Sequence, residues 1–219
     1  MFDTIIISGG TIEKDFARAF LKKNKDARLI AADAGMRFLT ECGIRPDLAI
    51  GDFDSISSEA EICMRQMEKE GLRVIRLRPE KDISDTQAAF LEAVKNGSRR
   101  IALLGCTGTR LDHVMANLSL LILAREAGAE AEILDSHNRI SLVPSRLVLR
   151  KEERPARYIS FFPFGGDVKG LTLSGFKYPL KDFHLRPRDS GLTVSNELSE
   201  EEAVISYTSG NLIMIESSD

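Results

Sequence analysis

Six short apolar runs alternate with five helical patterns through the first 136 residues, and this alternation constrains the fold more than any other feature of the chain. The runs are Thr4–Ser8, Arg28–Ala32, Asp47–Ile50, Arg73–Leu77, Ile101–Leu104 and Ala131–Leu134. Between them, helical spacing covers 12–24, the stretch up to Cys42, 57–70, 83–96 and 111–127, with Gly43, Gly71 and Asn96-Gly97 as stop signals. Short apolar strands separated by helices predict a mainly parallel sheet covered by helices, because parallel neighbours need a long crossover.

The texture changes after residue 136. Short β-type runs follow at Ile140–Val143, Arg146–Leu149, Tyr158–Phe162, Gly170–Leu173, Leu192–Val194, Ala203–Tyr207 and Asn211–Ile215. Turn residues such as Gly165-Gly166 and Ser209-Gly210-Asn211 separate them. The expectation is an α/β domain over 1–136 and a smaller all-β sandwich over 137–219.

Composition narrows the function classes. The net charge of −3 supplies no basic field for nucleic acid. The apolar stretch around Leu118–Ala124 falls far short of the roughly 20 residues that span a bilayer. The start, Met1-Phe2-Asp3, lacks the basic region of a signal peptide. Cys42, Cys63 and Cys106 form neither a zinc pattern nor a disulfide framework. A cytoplasmic protein with no nucleic-acid or membrane partner is the simplest expectation.

Ligands of an open parallel sheet bind beyond the carboxyl ends of its strands, so the polar residues just after each strand are the candidates. Gly9-Gly10 follows the first, Asp33 the second and Gly51-Asp52-Phe53-Asp54-Ser55 the third. Lys81-Asp82-Ile83-Ser84-Asp85-Thr86 lies after the fourth, and Gly105-Cys-Thr-Gly-Thr-Arg-Leu-Asp-His113 after the fifth. On extended backbone Asp52 and Asp54 point to one side with Cα atoms about 6.5–7 Å apart, and Phe53 points to the core. Two hard oxygen ligands at that spacing suit magnesium. Asp82 and Asp85 have i, i+3 spacing at a helix start and share a face.

Each feature has a plainer reading. Asp82 and Asp33 are also helix-cap residues, and Asp52–Ser55 also reads as a solvated turn. Gly9-Gly10 is either a strand-to-helix turn or a nucleotide contact. The loop around Thr107 and Gly108 can offer backbone N–H groups to phosphate, with Arg110 as a bidentate partner. Asp112 is a metal ligand or a group that orients the nucleophile. His113 is a phosphate neighbour or a structural hydrogen bonder. Neither a P-loop nor a Gly-x-Ser-x-Gly elbow is present.

The ordered set Gly51–Ile56, Lys81–Thr86 and Gly105–His113 with Asn117, followed by Leu171–Leu180 and Ser195-Asn196, resembles the thiamine pyrophosphokinase family over nearly the whole chain. The resemblance implies magnesium-dependent transfer of diphosphate from ATP to thiamine. It implies Asp52, Asp54, Asp82 and Asp112 as catalytic and metal-binding acids. Gly9, Gly10, Asp33, Lys81, Asp85, Thr86, Thr107, Gly108, Arg110 and His113 become ATP or phosphate contacts. Ser195 and Asn196 become thiamine contacts, contributed across a homodimer. Asp33-Ala34-Gly35-Met36-Arg37 departs from the family's usual Asp-Gly-Gly-Ala-Asn type of run, Ser84 stands where threonine is commoner, and the chain has no tryptophan to stack on thiamine. The alternatives are a pyrophosphokinase for another acceptor alcohol, such as a pterin, and a non-catalytic sensor of thiamine or nucleotide.

Overall fold

Thr4–Ile7 (β1) is buried at every position, as a strand covered on both faces must be. The computed structural model describes every residue except Ser55, Lys81, Thr109 and Pro155. The chain divides into two units, Met1–Ser136 and His137–Asp219.

In the first unit the order after β1 is α1 (Lys14–Lys23), β2 (Arg28–Ala32), α2 (Gly35–Glu41), β3 (Leu48–Gly51), α3 (Ser58–Lys69) and β4 (Arg73–Arg76). It continues with α4 (Asp85–Lys95), β5 (Arg100–Leu104), α5 (Leu111–Glu126) and β6 (Glu130–Leu134). All neighbouring strands run parallel, in the order β4-β3-β2-β1-β5-β6. Ser57 caps α3 through Ala60 N–H, and Ser84 caps α4 through Gln87 N–H. Gly71 and Gly97 follow α3 and α4 in left-handed backbone, where a Cβ would add strain.

This strand order has one functional consequence. The chain builds outward from β1 to β4, then returns to place β5 on the other side of β1. The loops after β1 and β5 therefore leave in opposite directions and open a crevice at the carboxyl end of the sheet. Ser8–Gly10 and Gly105–Arg110 are those loops.

The second unit contains β7 (Asn138–Leu142), β8 (Arg146–Arg150), β9 (Tyr158–Pro163), β10 (Val168–Ser174), β11 (Leu180–Leu185), β12 (Glu202–Ser206) and β13 (Leu212–Ser217). Strand β13 pairs antiparallel with β7 and β9. A second antiparallel group runs β11-β10-β12-β8. Both groups feed one core, in which Phe161 of β9 and Met214 of β13 join Leu149, Leu171, Leu173, Leu185 and Ile205. Two sheets sharing an apolar core make a β-sandwich.

Two sequence expectations fail in this unit. Leu192–Val194 reads as a strand, yet Pro187–Thr193 is a 3₁₀ helix. Pro187 presets φ, Asp189 accepts the Arg186 N–H, and Thr193 donates its hydroxyl to Phe161 O, which fixes the turn despite its apolar residues. Strand β11 goes unread because Asp182 sits at φ +47 and the β10–β11 register shifts, so the period-2 pattern is broken.

Candidate active site

The crevice is a cavity of about 420 Å³, walled by the residues that follow β1, β2, β3 and β5 and by the starts of α4 and α5. Its lining includes Gly9, Gly10, Asp33, Asp52, Asp54, Asp85, Thr86, Thr107, Gly108, Arg110 and His113. Asp82 and Asp112 do not line it, and both are exposed. Lys81 lies outside the described residues.

The acids gather differently from the extended-chain expectation. Phe53 adopts φ +60, so the backbone turns between Asp52 and Asp54. A left-handed aromatic residue is costly, by roughly 1–3 kcal/mol. Two contacts hold it: its N–H donates to Asp33 Oδ1 at 3.1 Å, and its ring packs on the core of the sheet. The turn brings one carboxylate oxygen each of Asp33, Asp52 and Asp54 within 4.8 Å of one another. Like charges gathered this closely oppose one another, and a divalent cation bound among them would offset that repulsion. Three hard oxygen donors suit a hard divalent cation.

Asp33 is not the cap of α2, as its position before the helix also suggested. Ala34 occupies that position without a side-chain bond, and Asp33, at φ +45, turns its carboxylate toward Phe53. Gly51 makes room for this: a Cβ there would lie 2.9 Å from Asp33 Cα. Asp82 likewise is not a cap. Ser84 takes that role and α4 starts at Asp85, so Asp82 and Asp85 do not share a helical face.

Opposite the acids, the loop after β5 is fastened to the loop after β1. Gly10 N–H donates to Gly105 O at 2.7 Å, and Thr11 N–H donates to Thr107 O at 2.9 Å. The Gly10 amide thus fastens the two loops, while Gly10 itself lines the cavity. Thr86 is buried and its hydroxyl pairs with Ser8 Oγ, joining α4 to β1. Asn117, buried on α5, donates to Cys106 O at 2.9 Å and so supports the same loop. The signal of Asn117 in the sequence is a carboxamide on the buried face of an apolar helix. Asp135, whose carboxylate meets the Thr107 hydroxyl, is a residue that no sequence motif marks.

Arg110 and Asp112 form an exposed pair, with Nη2 to Oδ2 at 2.6 Å. The Arg110 guanidinium beside Asp112 holds its carboxyl below the usual carboxylate range. Exposed pairs contribute little to stability, so a phosphate can take the guanidinium from Asp112 at small cost.

Cys106 lies on the cavity floor and is buried. Burial pushes its thiol from the ordinary 9.0 up to about 12. Between those values the unfolded chain loses a proton that the folded chain keeps, so this group costs the fold stability as pH rises from 9.0 toward 12. At pH 8 the thiolate is negligible, and Cys106 is no nucleophile. Iodoacetamide at that pH should modify the half-buried Cys42 and Cys63 of the native protein and spare Cys106 until denaturation, as read by peptide mass spectrometry.

In the second unit Ser195 and Asn196 separate in character. Ser195 is exposed at φ +55, with its N–H on Ser160 Oγ at 2.9 Å. Asn196 is 1% exposed. Its Oδ1 accepts from Tyr178 N–H and Glu197 N–H, and its Nδ2 donates to Tyr178 O at 2.8 Å. Asn196→Ala should therefore lower the stability of this unit by about 2 kcal/mol, seen in denaturant unfolding. Ser195→Ala should leave that stability within about 0.5 kcal/mol.

A crevice at the switch point of a parallel sheet, lined by clustered carboxylates and by a glycine loop fastened through hydrogen bonds, is the ligand-site arrangement of an open α/β fold. Residues 21–133 match the family model described as thiamin pyrophosphokinase, catalytic domain, and residues 145–212 match thiamin pyrophosphokinase, vitamin B1 binding domain. The chain is 36% identical over 190 residues to the thiamine pyrophosphokinase of Bacillus subtilis (strain 168), covering 87% of each. It superposes on a crystal structure of thiamine pyrophosphokinase from Bacillus subtilis with a TM-score of 0.84, at 34% identity and 99% coverage of both chains. A thiamin pyrophosphokinase from Geobacillus thermodenitrificans gives 0.82 and 34%, covering 99% of this chain and 97% of that one. The chain belongs to the thiamin pyrophosphokinase family.

Proposed function

We infer that this enzyme transfers the diphosphate group of ATP to thiamine with the help of magnesium, giving thiamine diphosphate and AMP. The observation that carries the reading is the convergence of Asp33, Asp52 and Asp54 on one side of the cavity that the Gly105–Arg110 loop closes on the other. Bound there, magnesium supplies charge neutralisation for the ATP phosphates. These carboxylates would hold it, and Asp85 at the start of α4 faces the same cavity.

The thiamine hydroxyl oxygen forms a bond to the β-phosphorus while the bond from that phosphorus to the α–β bridging oxygen breaks. The hydroxyl proton is released and AMP leaves. Transfer of this kind depends on positioning and on stabilising charge rather than on a covalent enzyme intermediate. Arg110 adds a guanidinium to the phosphates once it is drawn from Asp112, and Gly108 and His113 lie beside it. Asp82 and Asp112 belong to the same proposal as outer acids, exposed and beyond the cavity lining, with smaller effects on the rate.

The first unit is the nucleotide and catalytic domain in this reading, and the second binds thiamine through the Ser195-Asn196 segment. Exposed Ser195 supplies the contact, and Asn196 acts by fixing the backbone around it. A cytoplasmic homodimer, with thiamine held near the subunit interface, completes the proposal. Among the described residues no helix is long and apolar enough to cross a membrane.

Incubation with ATP, magnesium and thiamine tests the reading, with AMP and thiamine diphosphate separated by chromatography. Both products, in equal amounts and only with all three components, are expected. AMP without thiamine diphosphate would reassign the acceptor, and thiamine binding without either product would make the chain a sensor.

A further inference from the structure

Asp135 ends β6 as Gly105 ends β5, and the two strands are in register at Leu104 and Leu134. The loop after β5 therefore passes beside Asp135. Thr107 Oγ1 lies 2.9 Å from Asp135 Oδ2, and both residues are half-buried. Thr107 also lines the cavity, while its carbonyl is held by Thr11 N–H.

The direction of this bond has a chemical consequence. The Thr107 hydroxyl is the donor in this bond, so its hydrogen points at Asp135. A threonine hydroxyl has one hydrogen and two lone pairs. What remains for the cavity is lone pairs. A phosphate oxygen is itself an acceptor and finds no hydrogen there. The group that fits is a hydrogen-bond donor.

We propose that Asp135 sets Thr107 as an acceptor in the ATP cavity, and that Thr107 Oγ1 receives a donor of the nucleoside, either a ribose hydroxyl or the adenine amino group. Asp135 is then a positioning residue and Thr107 a specificity-determining one. This inference rests on the cavity being the ATP site. It replaces the phosphate role for the Thr107 side chain by a role toward the leaving AMP portion. Phosphate contacts remain with the backbone of the loop, with Arg110 and with the acid-bound metal.

The test is calorimetric titration of the magnesium-loaded protein with ATP, 2′-deoxy-ATP, 3′-deoxy-ATP and inosine triphosphate. Binding is read directly, so the outcome does not depend on which acceptor is used. One analogue should bind about three- to tenfold more weakly than ATP, the size of one neutral hydrogen bond. A ribose analogue and the inosine analogue separate the two donor sources. Thr107→Val keeps the shape but removes the lone pairs, and should abolish the difference between ATP and that analogue. Asp135→Ala should shrink the same difference while Thr107→Ser preserves it. Thermal melting of each variant checks that the fold is kept.

Equal discrimination by the unmutated protein and Thr107→Val would overturn the proposal. So would Thr107→Val weakening ATP and every analogue by one common factor, which is the signature of a phosphate or metal contact. Absence of any ATP binding by the unmutated protein would overturn it together with the assignment of the cavity. Retained, discriminating ATP binding without formation of thiamine diphosphate would sink only the reading of the reaction.

Discussion

Asp52→Asn should lower the rate of thiamine diphosphate formation by about a thousandfold while leaving the fold intact, which corresponds to about 4 kcal/mol of barrier. Asparagine keeps the size of the side chain and one oxygen, but it loses the charge that would balance a divalent cation among Asp33, Asp52 and Asp54. Thermal stability should stay within about 1 kcal/mol of the unmutated protein, because the substitution keeps the shape of the side chain. Retained stability with lost activity marks a functional acid, whereas a structural one loses both. Asp54→Asn should behave alike. Asp33→Asn keeps an oxygen for the Phe53 N–H, so it tests charge with the turn retained. Asp82→Asn is the informative contrast, since Asp82 is exposed and outside the cavity lining. A loss smaller than about tenfold is expected there. Initial rates across a magnesium titration would check all four. Equal losses at Asp82 and Asp52 would mean that substrates draw the 79–84 segment inward, and the three-acid centre would need a fourth member.

The contrast between Asp33 and Asp82 shows what was legible in the sequence. Strand positions were readable because each parallel strand is buried on both faces and writes a continuous apolar run, as in Ile5-Ile6-Ile7. The switch-point rule then located the cavity to within a few residues. Side-chain convergence was less readable, because it depends on backbone turns that the alternation of residues does not encode. Phe53 at φ +60 is the clearest case: nothing in Asp-Phe-Asp announces a left-handed aromatic residue, and the extended assumption misplaced the reason for the cluster. Competition among caps is another. Asp82 and Ser84 are both good cap residues, and which one closes α4 is decided by the loop that precedes it. Asn196 illustrates the limit of a motif. Its place beside Ser195 suggests a ligand contact, but the burial of its carboxamide against Tyr178 follows from sheet contacts far away in sequence. Strand β11 was hidden for a related reason, since a bulge at Asp182 disrupts the alternation by which a strand is seen.

Gly10→Ala should damage both stability and nucleotide binding, and for one geometric cause. A Cβ on residue 10 would lie 2.2 Å from Thr107 O and 2.5 Å from Gly105 O. Both are backbone atoms, so no side chain can rotate away. The loop after β5 must move by about an ångström, and its bonds from Gly10 N–H and Thr11 N–H stretch or break with it. Overpacking of this kind costs about 3 kcal/mol, at the upper end of the usual range. The same displacement shifts Thr107, Gly108 and Arg110, which line the cavity together. ATP affinity should fall by at least about tenfold, measured by calorimetry at a temperature where the variant is fully folded. Gly43→Ala provides the control, because a Cβ there meets nothing within 4 Å and adds only the strain of φ +67. That variant should lose about 1 kcal/mol and bind ATP normally. If Gly10→Ala bound ATP normally while melting earlier, the loop after β5 would be adaptable, and the phosphates would be held from the acid side of the cavity rather than by a fixed cradle. A common fall in stability and affinity instead ties the packing of two strand-end loops to the shape of the site, and explains the need for glycine at position 10 by the close approach of Gly105 O and Thr107 O rather than by any contact with the substrate.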